Sequence, residues 1–359
     1  MGLFPKRTYV GIDIGHHTIK ALQLEKSGDV FKVVNYACTP TPAESVRDGV
    51  ISAPDLIGDA IKDLLKQGHF HASSAHIAVT GASVFVRPVK LPKMPEIALR
   101  RSIKYEASRY VPGTPEESYI DFEILGETED GQMEVLIVAA PREIVESRLA
   151  AFAVADLEVE SVEVEAFATY RALIESDTNR PWNLSTFALV DVGSITTNLS
   201  IIAKGQFAMT RAIPHGGQMW TDALKSYFKL NEDDAEAGKA QLDLAELLDE
   251  ARPRENPPLR VLQPHLDELV REIRRSLNYY QSQLAEGQTG SPVESIILTG
   301  GATKLKGFER YVEHKLGIKC EKIGLFSSTR FLHSGDPEAD GLELSVASGL
   351  AMRAFSKAA

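Results

Sequence analysis

Two similar stretches of the chain, residues 9–24 and 187–202, consist of apolar runs interrupted by a short polar turn. Each stretch reads as an apolar run, an Asp-x-Gly, a small polar turn and a second apolar run. β-Branched residues favour strands and glycine permits a tight turn, so each stretch predicts a β-hairpin. Their separation is close to half the chain, which predicts two similar lobes. The aligned pairs are Asp13 with Asp191, Gly15 with Gly193 and Thr18 with Thr196.

The pattern after the first hairpin predicts the rest of a first lobe. Residues 31–37 and 75–80 have the composition of strands. Between them, residues 55–67 carry apolar side chains at helical spacing behind an acidic first turn, which predicts a helix. Three strands, a helix and a further strand are typical of the start of a ribonuclease-H-like lobe.

A compact α+β module is predicted to interrupt this pattern. Pro95 opens a helix that runs to about Tyr110 and ends at Pro112, and a turn signal at 129–131 joins two strands. Pro141 starts the last helix, which presents an apolar face. The predicted strands of the module are 85–91, 119–125 and 134–140, and its second helix is 141–155.

The remainder of the chain predicts a second lobe with a helical region. Residues 231–284 are strongly helical, except for a loop at 253–258 whose three prolines cannot continue a helix. The other predicted elements are strands at 159–164, 206–213 and 295–298, helices at 165–173, 219–228, 308–316 and 344–355, and a loop at 324–338.

The element order therefore predicts an α/β protein of seven segments. In chain order they are residues 1–83 (first part of lobe 1), 84–157 (the inserted module), 158–184 (return to lobe 1), 185–214 (first part of lobe 2), 215–293 (a helical subdomain), 294–343 (return to lobe 2) and 344–359 (a closing helix on lobe 1).

Composition excludes several classes of protein. With 359 residues, 43% of them hydrophobic, the chain is long enough for two or more buried cores. A net charge of −11 and no block rich in lysine and arginine argue against binding nucleic acid. Two cysteines, Cys38 and Cys320, are too few for a disulfide framework or a cysteine-ligated zinc site. Neither a signal peptide nor a membrane-spanning apolar run is recognisable, so we expect a cytoplasmic protein that meets membranes only through a partner.

The two hairpin turns have the chemistry of an anion site. Free backbone N–H groups and the hydroxyls of Thr18, Ser194, Thr196 and Thr197 suit phosphate. An aspartate beside a phosphate needs a cation between them, and Mg²⁺ is commonly held by one or two carboxylates together with phosphate oxygens. Asp13 and Asp191, facing each other across a cleft, would therefore suit a Mg²⁺-nucleotide. An ordinary turn formed twice is the alternative, which the alignment of the two copies disfavours.

Three further features are candidates for parts of a nucleotide site. Gly300 and Gly301 follow a predicted buried strand and let the backbone approach a ligand closely. Glu236 and Lys239 share one helix face, where they offer an acceptor and a donor to adenine or ribose, or else form a solvated ion pair. Glu165 begins a helix, where it is placed to orient a water molecule, or else is a plain helix-terminal charge. No P-loop motif is present, and the histidines lack a recognisable metal spacing.

These motifs resemble those of the actin-like ATPase superfamily, in which the hairpins are phosphate loops of two facing lobes and the diglycine turn meets adenosine. Residues 11–20, 91–112, 134–141 and 345–353 resemble the PilM family of type IV pilus assembly proteins and, less closely, the FtsA family. The resemblance implies an actin-like fold of two ribonuclease-H-like lobes (1A, 2A and 2B) with an inserted 1C or SHS2-like module, ATP and Mg²⁺ as cofactors, and Asp13 and Asp191 as metal ligands. Its implied catalytic residues are Glu165 and Asp191. Its implied nucleotide-binding residues are Asp13, Gly15, His16, His17, Thr18, Lys20, Gly193, Ser194, Thr196, Thr197, Gly216, Gly217, Glu236, Lys239, Gly300, Gly301 and Ala302.

The resemblance also implies a partner, the cytoplasmic N-terminal tail of the inner-membrane protein PilN, in a groove between lobe 1 and the inserted module. Basic side chains in the module, namely Arg87, Lys90, Arg100, Arg101 and Lys104, suit a polar or acidic peptide, although solvated surface charge explains them too. Contacts with other pilus assembly proteins and self-association stay open. His16 and His17 replace the usual Ser/Thr-rich turn, which puts the nucleotide affinity and hydrolysis rate in question.

The favoured hypothesis is an ATP-binding assembly scaffold with slow or absent hydrolysis, peripheral to the inner membrane. The alternatives are an FtsA-like filament-forming ATPase and a small-molecule kinase of the same fold that uses Glu165 as its base.

Overall fold

The computed structural model describes residues 8–111, 113–128, 130–248, 256–285, 291–333 and 340–356. The chain forms two units. Unit 1 contains Met1–Arg171, Gln206–Thr210 and Val346–Ala359, and unit 2 contains Ala172–Gly205 and Arg211–Ser345. The predicted leader 1–6, Pro112, Glu129 of the predicted turn, and parts of the predicted loops at 253–258 and 324–338 lie outside the described residues.

The main sheet of unit 1 is built around the first predicted hairpin. Its strands are β1 (Tyr9–Ile14), β2 (Thr18–Ser27), β3 (Val30–Pro40), β6 (Ser74–Val79) and β10 (Glu158–Val164), and a short hairpin supplies β4 (Val46–Arg47) and β5 (Val50–Ile51). Within this unit the order is β10-β6-β1-β2-β3, with β1, β2 and β3 antiparallel and with β6 parallel to both β1 and β10. Helix α1 (Pro54–Gln67) buries Ile57, Ile61 and Leu64 against this sheet.

The predicted inserted elements form a separate three-stranded sheet. They are β7 (Phe85–Leu91), α2 (Glu96–Ala107), β8 (Ser118–Glu127), β9 (Met133–Pro141) and α3 (Arg142–Val154). The strand order is β7-β9-β8, and both pairs are antiparallel. Leu99 and Ile103 of α2 share a core with Val135 and Ile137 of β9. Ala151 and Phe152 of α3 instead join the core of the main sheet, so this helix packs on both parts of unit 1.

Unit 2 repeats the hairpin topology. Its strands are β11 (Thr186–Val192), β12 (Thr197–Ala203), β14 (Ser295–Thr299) and β15 (Lys319–Lys322) in the order β12-β11-β14-β15, and a further short strand is β16 (Phe331–Leu332). Strand β13 (Gln206–Ile213) begins in a segment assigned to unit 1 and ends in unit 2. As in unit 1, the first strand of the hairpin is antiparallel to the second and parallel to a later strand. Both predicted hairpins are confirmed, and they have the same local topology.

The remaining helices are α4 (Glu165–Tyr170), α5 (Gly217–Phe228), α6 (Glu232–Ala240), α7 (Pro257–Ala285), α8 (Phe308–Leu316) and α9 (Ser345–Arg353). The prediction of one helix over 165–173 is wrong in detail, because α4 continues as a π-helical segment, Arg171–Glu175. Helix α7 begins inside the predicted proline loop, with Pro257 and Pro258 as its first two residues. Proline is tolerated there, because the N–H groups of the first helical turn have no acceptor within the helix. Within the described part of the chain, no helix has the length and apolar character required to span a membrane.

Candidate functional site

In the first hairpin turn the carbonyl oxygens accept hydrogen bonds, whereas two backbone N–H groups do not donate any within the described residues. The Gly15 N–H donates to Thr18 O at 3.1 Å. Thr41 donates twice, from its N–H to His17 O at 3.0 Å and from Oγ1 to Gly15 O at 2.7 Å. Among the described residues, the N–H groups of His16 and His17 donate no hydrogen bond. Two adjacent unengaged N–H groups in a turn are the elements of an anion-binding nest.

The second turn repeats this arrangement with a different anchor. The Gly193 N–H donates to Thr196 O at 3.0 Å. The N–H groups at the start of α5 hold two carbonyl oxygens of the turn, Gly217 binding Gly193 O at 3.0 Å and Gln218 binding Ser194 O at 2.8 Å. The N–H groups of Ser194 and Ile195 donate to nothing within the described structure. This turn therefore has the same unengaged amides as the first.

Gly216 is required by the close approach of α5 to this turn. A Cβ at Gly216 would lie 2.4 Å from Ser194 O and 2.6 Å from Gly193 O, closer than real Cβ atoms come. Thr197 contributes to the same junction, because its buried hydroxyl donates to His215 O at 2.7 Å. Of the predicted phosphate-binding residues, Thr197 is thus committed to holding the turn in place.

The predicted metal-binding carboxylates lie at the ends of β1 and β11. Asp13 is 6% exposed, and its Oδ2 pairs with Lys20 Nζ at 2.8 Å, directly across the hairpin. Asp191 lies against the diglycine turn, where a Cβ at Gly300 would be 2.3 Å from Asp191 Oδ1. No group of three or more His, Cys, Asp or Glu side chains arranged for a metal occurs in the described ranges. A single carboxylate in each turn region fits Mg²⁺, which keeps several water ligands.

Arg148, which sequence analysis did not identify, is a buried cation of unit 1. Its side chain is 1% exposed and donates to Ala78 O at 2.9 Å, to Ile144 O at 3.2 Å and to Gly49 O. Burial lowers the pKa of this guanidinium, and the carboxylates of Glu165 and Asp13 raise it. Two predicted site residues of unit 1, Glu165 and Asp13, therefore favour the charged form of one buried guanidinium. The available signal was a charged residue within the apolar face of a predicted helix.

The charge of Arg148 also affects the pKa of His16 in the first turn. Burial lowers the pKa of His16 and the charge of Arg148 lowers it further, whereas the carboxylates of Asp48 and Asp13 oppose the change. His16 is consequently neutral at pH 7. A neutral imidazole has one N–H, which can donate to a phosphate oxygen.

Glu236 and Lys239 are joined to α5 rather than forming an isolated ion pair. Lys239 Nζ donates to Glu236 Oε1 and Thr221 Oγ1, both at 2.7 Å, and to Gly217 O at 3.3 Å. The fully buried Thr221 hydroxyl also donates to Glu236 Oε1. This network places the Glu-x-x-Lys pair beside the helix end that anchors the second turn.

The diglycine turn completes the cluster in unit 2. Gly300 has φ +93°, and its N–H donates to Leu342 O at 3.0 Å. The Ala302 methyl is 3.0 Å from the position of a Cβ at Gly217. The second hairpin turn, the start of α5, the Glu-x-x-Lys pair and the diglycine turn are therefore neighbours within one unit. Asp13, Gly15, His16, Lys20 and Glu165 gather separately in unit 1.

The fold is shared with two proteins of known structure, one of them solved with a bound nucleotide analogue. MreB5 of Spiroplasma citri bound to AMPPNP is 13% identical, with 99% of this chain and 97% of that chain covered and a TM-score of 0.53. The ethanolamine utilization protein EutJ of Carboxydothermus hydrogenoformans is 17% identical, with 98% and 91% covered and a TM-score of 0.58. The chain thus has the actin-like ATPase fold.

More specific similarity covers nearly the whole chain. A chain of a PilM–PilN type IV pilus biogenesis complex is 27% identical, with 98% of this chain and 100% of that chain covered and a TM-score of 0.82. The family model described as type IV pilus assembly protein PilM matches residues 11–355. The chain belongs to this family, which confirms the resemblance found in its motifs.

A shorter similarity extends to a secretion protein. Type II secretion system protein L of Xanthomonas campestris pv. campestris is 27% identical over 119 residues, which are 30% of this chain. The chain spans about a third of that relative's length, since the match covers 32% of it.

Proposed function

We propose that this chain is a nucleotide-dependent scaffold for type IV pilus assembly that binds Mg²⁺-ATP and a PilN protein. The observation that carries the nucleotide part is the repeated turn. In both hairpins a neighbouring segment holds the carbonyl oxygens while two adjacent N–H groups stay unengaged. That arrangement presents partial positive charge to an anion and suits phosphate.

The residues of each turn have distinct roles in this proposal. Backbone N–H groups, helped by the hydroxyls of Thr18, Ser194 and Thr196, bind phosphate oxygens. Asp13 and Asp191 hold Mg²⁺, which when bound neutralises charge on the triphosphate. Lys20 is held beside the first turn by Asp13 and adds a positive charge there.

The adenosine part is assigned to residues of unit 2. Glu236 offers an acceptor that Lys239 holds in place, and Gly300, Gly301 and Ala302 offer a backbone without large side chains. Glu165 orients water for hydrolysis. We propose that this hydrolysis is slow or absent, because the role of the protein is assembly.

The partner assignment rests on similarity and on surface chemistry. The related chain comes from a PilM–PilN complex. We propose that this chain binds the cytoplasmic N-terminal tail of a PilN protein between lobe 1 and the inserted module, in the cytoplasm at the inner membrane. Helix α2 of that module exposes Ile97 and Tyr105 together with Arg101 and Lys104, which suits a peptide with apolar and acidic residues.

Calorimetric titration with Mg²⁺-ATP tests the nucleotide part. Gly216→Ala should weaken binding about tenfold or more, because its methyl group displaces the carbonyls that shape the second turn. Gly238→Ala is the matched control, since a Cβ there meets nothing within 4 Å in α6. Absence of Mg²⁺-ATP binding by the unmodified protein would refute the nucleotide proposal.

A peptide titration tests the partner part. A PilN N-terminal peptide should bind the unmodified protein and bind Arg101→Glu more weakly. Arg260→Glu makes the same charge change at an exposed position of α7 in unit 2 and should leave binding unchanged. Equal losses in both variants would indicate a general charge effect and contradict a peptide site on the module.

A further inference from the structure

Helix α3 of the inserted module is packed into both parts of unit 1. Ile144 and Val145 in its first turn share a core with Leu136 of the module sheet and with Val79 and Val164 of the main sheet. Close-packed side chains transmit a displacement rather than absorb it. A shift of α3 relative to either sheet would therefore disturb the other.

Arg148 fastens α3 to two segments of the main part of the unit. Its side chain donates to Ala78 O near the end of β6 at 2.9 Å, and to Gly49 O in the turn between β4 and β5. The preceding residue, Ser147, accepts at Oγ a hydrogen bond of 3.1 Å from the Ile51 N–H of β5. The position of α3 is therefore linked to the ends of strands in the main part.

The charge of Arg148 is buried, and it acts on the first hairpin turn. Each hydrogen bond that this side chain makes among the described residues ends on a backbone carbonyl oxygen. Burial lowers its pKa, and the carboxylates of Glu165 and Asp13 oppose that change. Its charge adds to the effect of burial in lowering the pKa of His16. A triphosphate at this turn would bring negative charge into the range of the same cation.

Two ligands would therefore favour the same position of α3. A triphosphate at the first turn is attracted to Arg148 and favours the arrangement in which this side chain stays on Ala78 O and Gly49 O. A peptide bound between lobe 1 and the module contacts the two parts that α3 joins, so it opposes a displacement of α3. Ligands that favour one state of a shared element increase each other's affinity by the same factor.

We propose that α3, through Arg148, couples the peptide site of the module to the first phosphate turn, so that each ligand raises the affinity for the other. This proposal rests on the proposed function and names the regulation of its two sites. Arg148 is a positioning residue in it, because it acts through the two carbonyl oxygens that it holds and through its charge.

Calorimetric titration of each ligand in the presence of the other tests the coupling. The probes are Mg²⁺-AMPPNP, which is not hydrolysed during the titration, and a PilN N-terminal peptide. In the unmodified protein, saturating peptide should strengthen nucleotide binding about fivefold or more, and saturating nucleotide should strengthen peptide binding by the same factor. In Arg148→Met this factor should fall to about one, while both ligands still bind.

Arg142→Met is the matched control, because it makes the same change on the same helix at an exposed side chain that contacts only the module. It should keep the coupling factor, whatever it does to the peptide affinity itself. If Arg148→Met does not fold, Arg148→Lys is the second variant. Lysine keeps the charge but lacks the planar fork that reaches both carbonyl oxygens, so the factor should fall about twofold or more.

The outcomes separate the coupling from the function on which it rests. A factor of about one in the unmodified protein would overturn the coupling, and so would an undiminished factor in the Arg148 variants. Failure of the unmodified protein to bind the nucleotide or the peptide at all would instead refute the proposed function.

Discussion

Acidification from pH 7 to pH 5 should cost the fold about 2 kcal/mol through one buried imidazole, that of His76 in β6. The His76 side chain is 4% exposed and stacks on Tyr9, with ring centroids 5.3 Å apart. Nδ1 shares a hydrogen bond of 2.7 Å with Ser161 Oγ, whereas Nε2 is buried without a partner among the described residues. Protonation would therefore bury a positive charge and place an N–H where no described acceptor receives it.

The magnitude follows from the difference between folded and unfolded pKa values. Burial lowers the pKa of His76 to about 4, with Glu163 opposing the shift and Arg353 and Arg171 adding to it. The unfolded chain, with a pKa near 6.5, binds the proton first as pH falls. The stability contributed by neutral His76 is thus present above about pH 6.5 and is lost progressively down to about pH 4, at about 1.4 kcal/mol per pKa unit.

Urea denaturation between pH 7.5 and pH 4.5 measures this dependence. His76→Leu should flatten the curve across this window, whatever its absolute stability, because the titrating group is gone. His71→Gln, at an exposed position, should leave the slope unchanged. A slope that persists in His76→Leu would show that other groups cause the acid sensitivity and would refute the argument.

Other predictions concern the two turns. Thr41→Val removes the hydroxyl that holds a carbonyl of the first turn and should weaken ATP binding about fivefold, measured by calorimetry; unchanged affinity would mean that the backbone bond of Thr41 suffices. Gly300→Ala forces a side chain into a φ of +93° and against Asp191, so it should lower the free energy of unfolding by about 1–3 kcal/mol and abolish ATP binding, unlike Gly238→Ala. Chelation of Mg²⁺ should weaken binding of ATP but not of adenosine, and equal effects on both would contradict a metal at the phosphates. Arg148→Met should raise the pKa of His16, followed by NMR titration, because it removes a nearby positive charge; an unchanged value would mean that burial alone lowers it.

Local sequence patterns predicted the elements whose stability is local. The hairpins carry β-branched runs on both sides of a glycine turn. Helices α1 and α8 have strong apolar periodicity, and their predicted ends agree with the observed ends to within one residue. Strand β15 was missed because Lys319–Lys322 is short and polar, and it forms through parallel pairing with β14. The segment boundaries stay predictions.

The candidate site could be predicted only at positions that belong to a motif. Glycines 216 and 300 are readable as turns, although the atoms that exclude a side chain there come from other segments. Arg148 had no motif at all. The contacts of Arg148 are with carbonyl oxygens of Ala78 and Gly49, which lie far away in the sequence and are brought close by the tertiary fold.

The two turns are held by different segments, so a movement of each turn would be transmitted to a different part of the fold. Thr41, directly after a strand of the main sheet, fastens the first turn, whereas the opening residues of α5 fasten the second. A change in the conformation of the second turn is therefore expected to shift the start of α5 and, through the bond from Lys239 to Gly217 O, also α6. Deuterium uptake by α5 and α6 should therefore change when the proposed ligand binds the second turn. Uptake by the sheet around the first turn should stay the same.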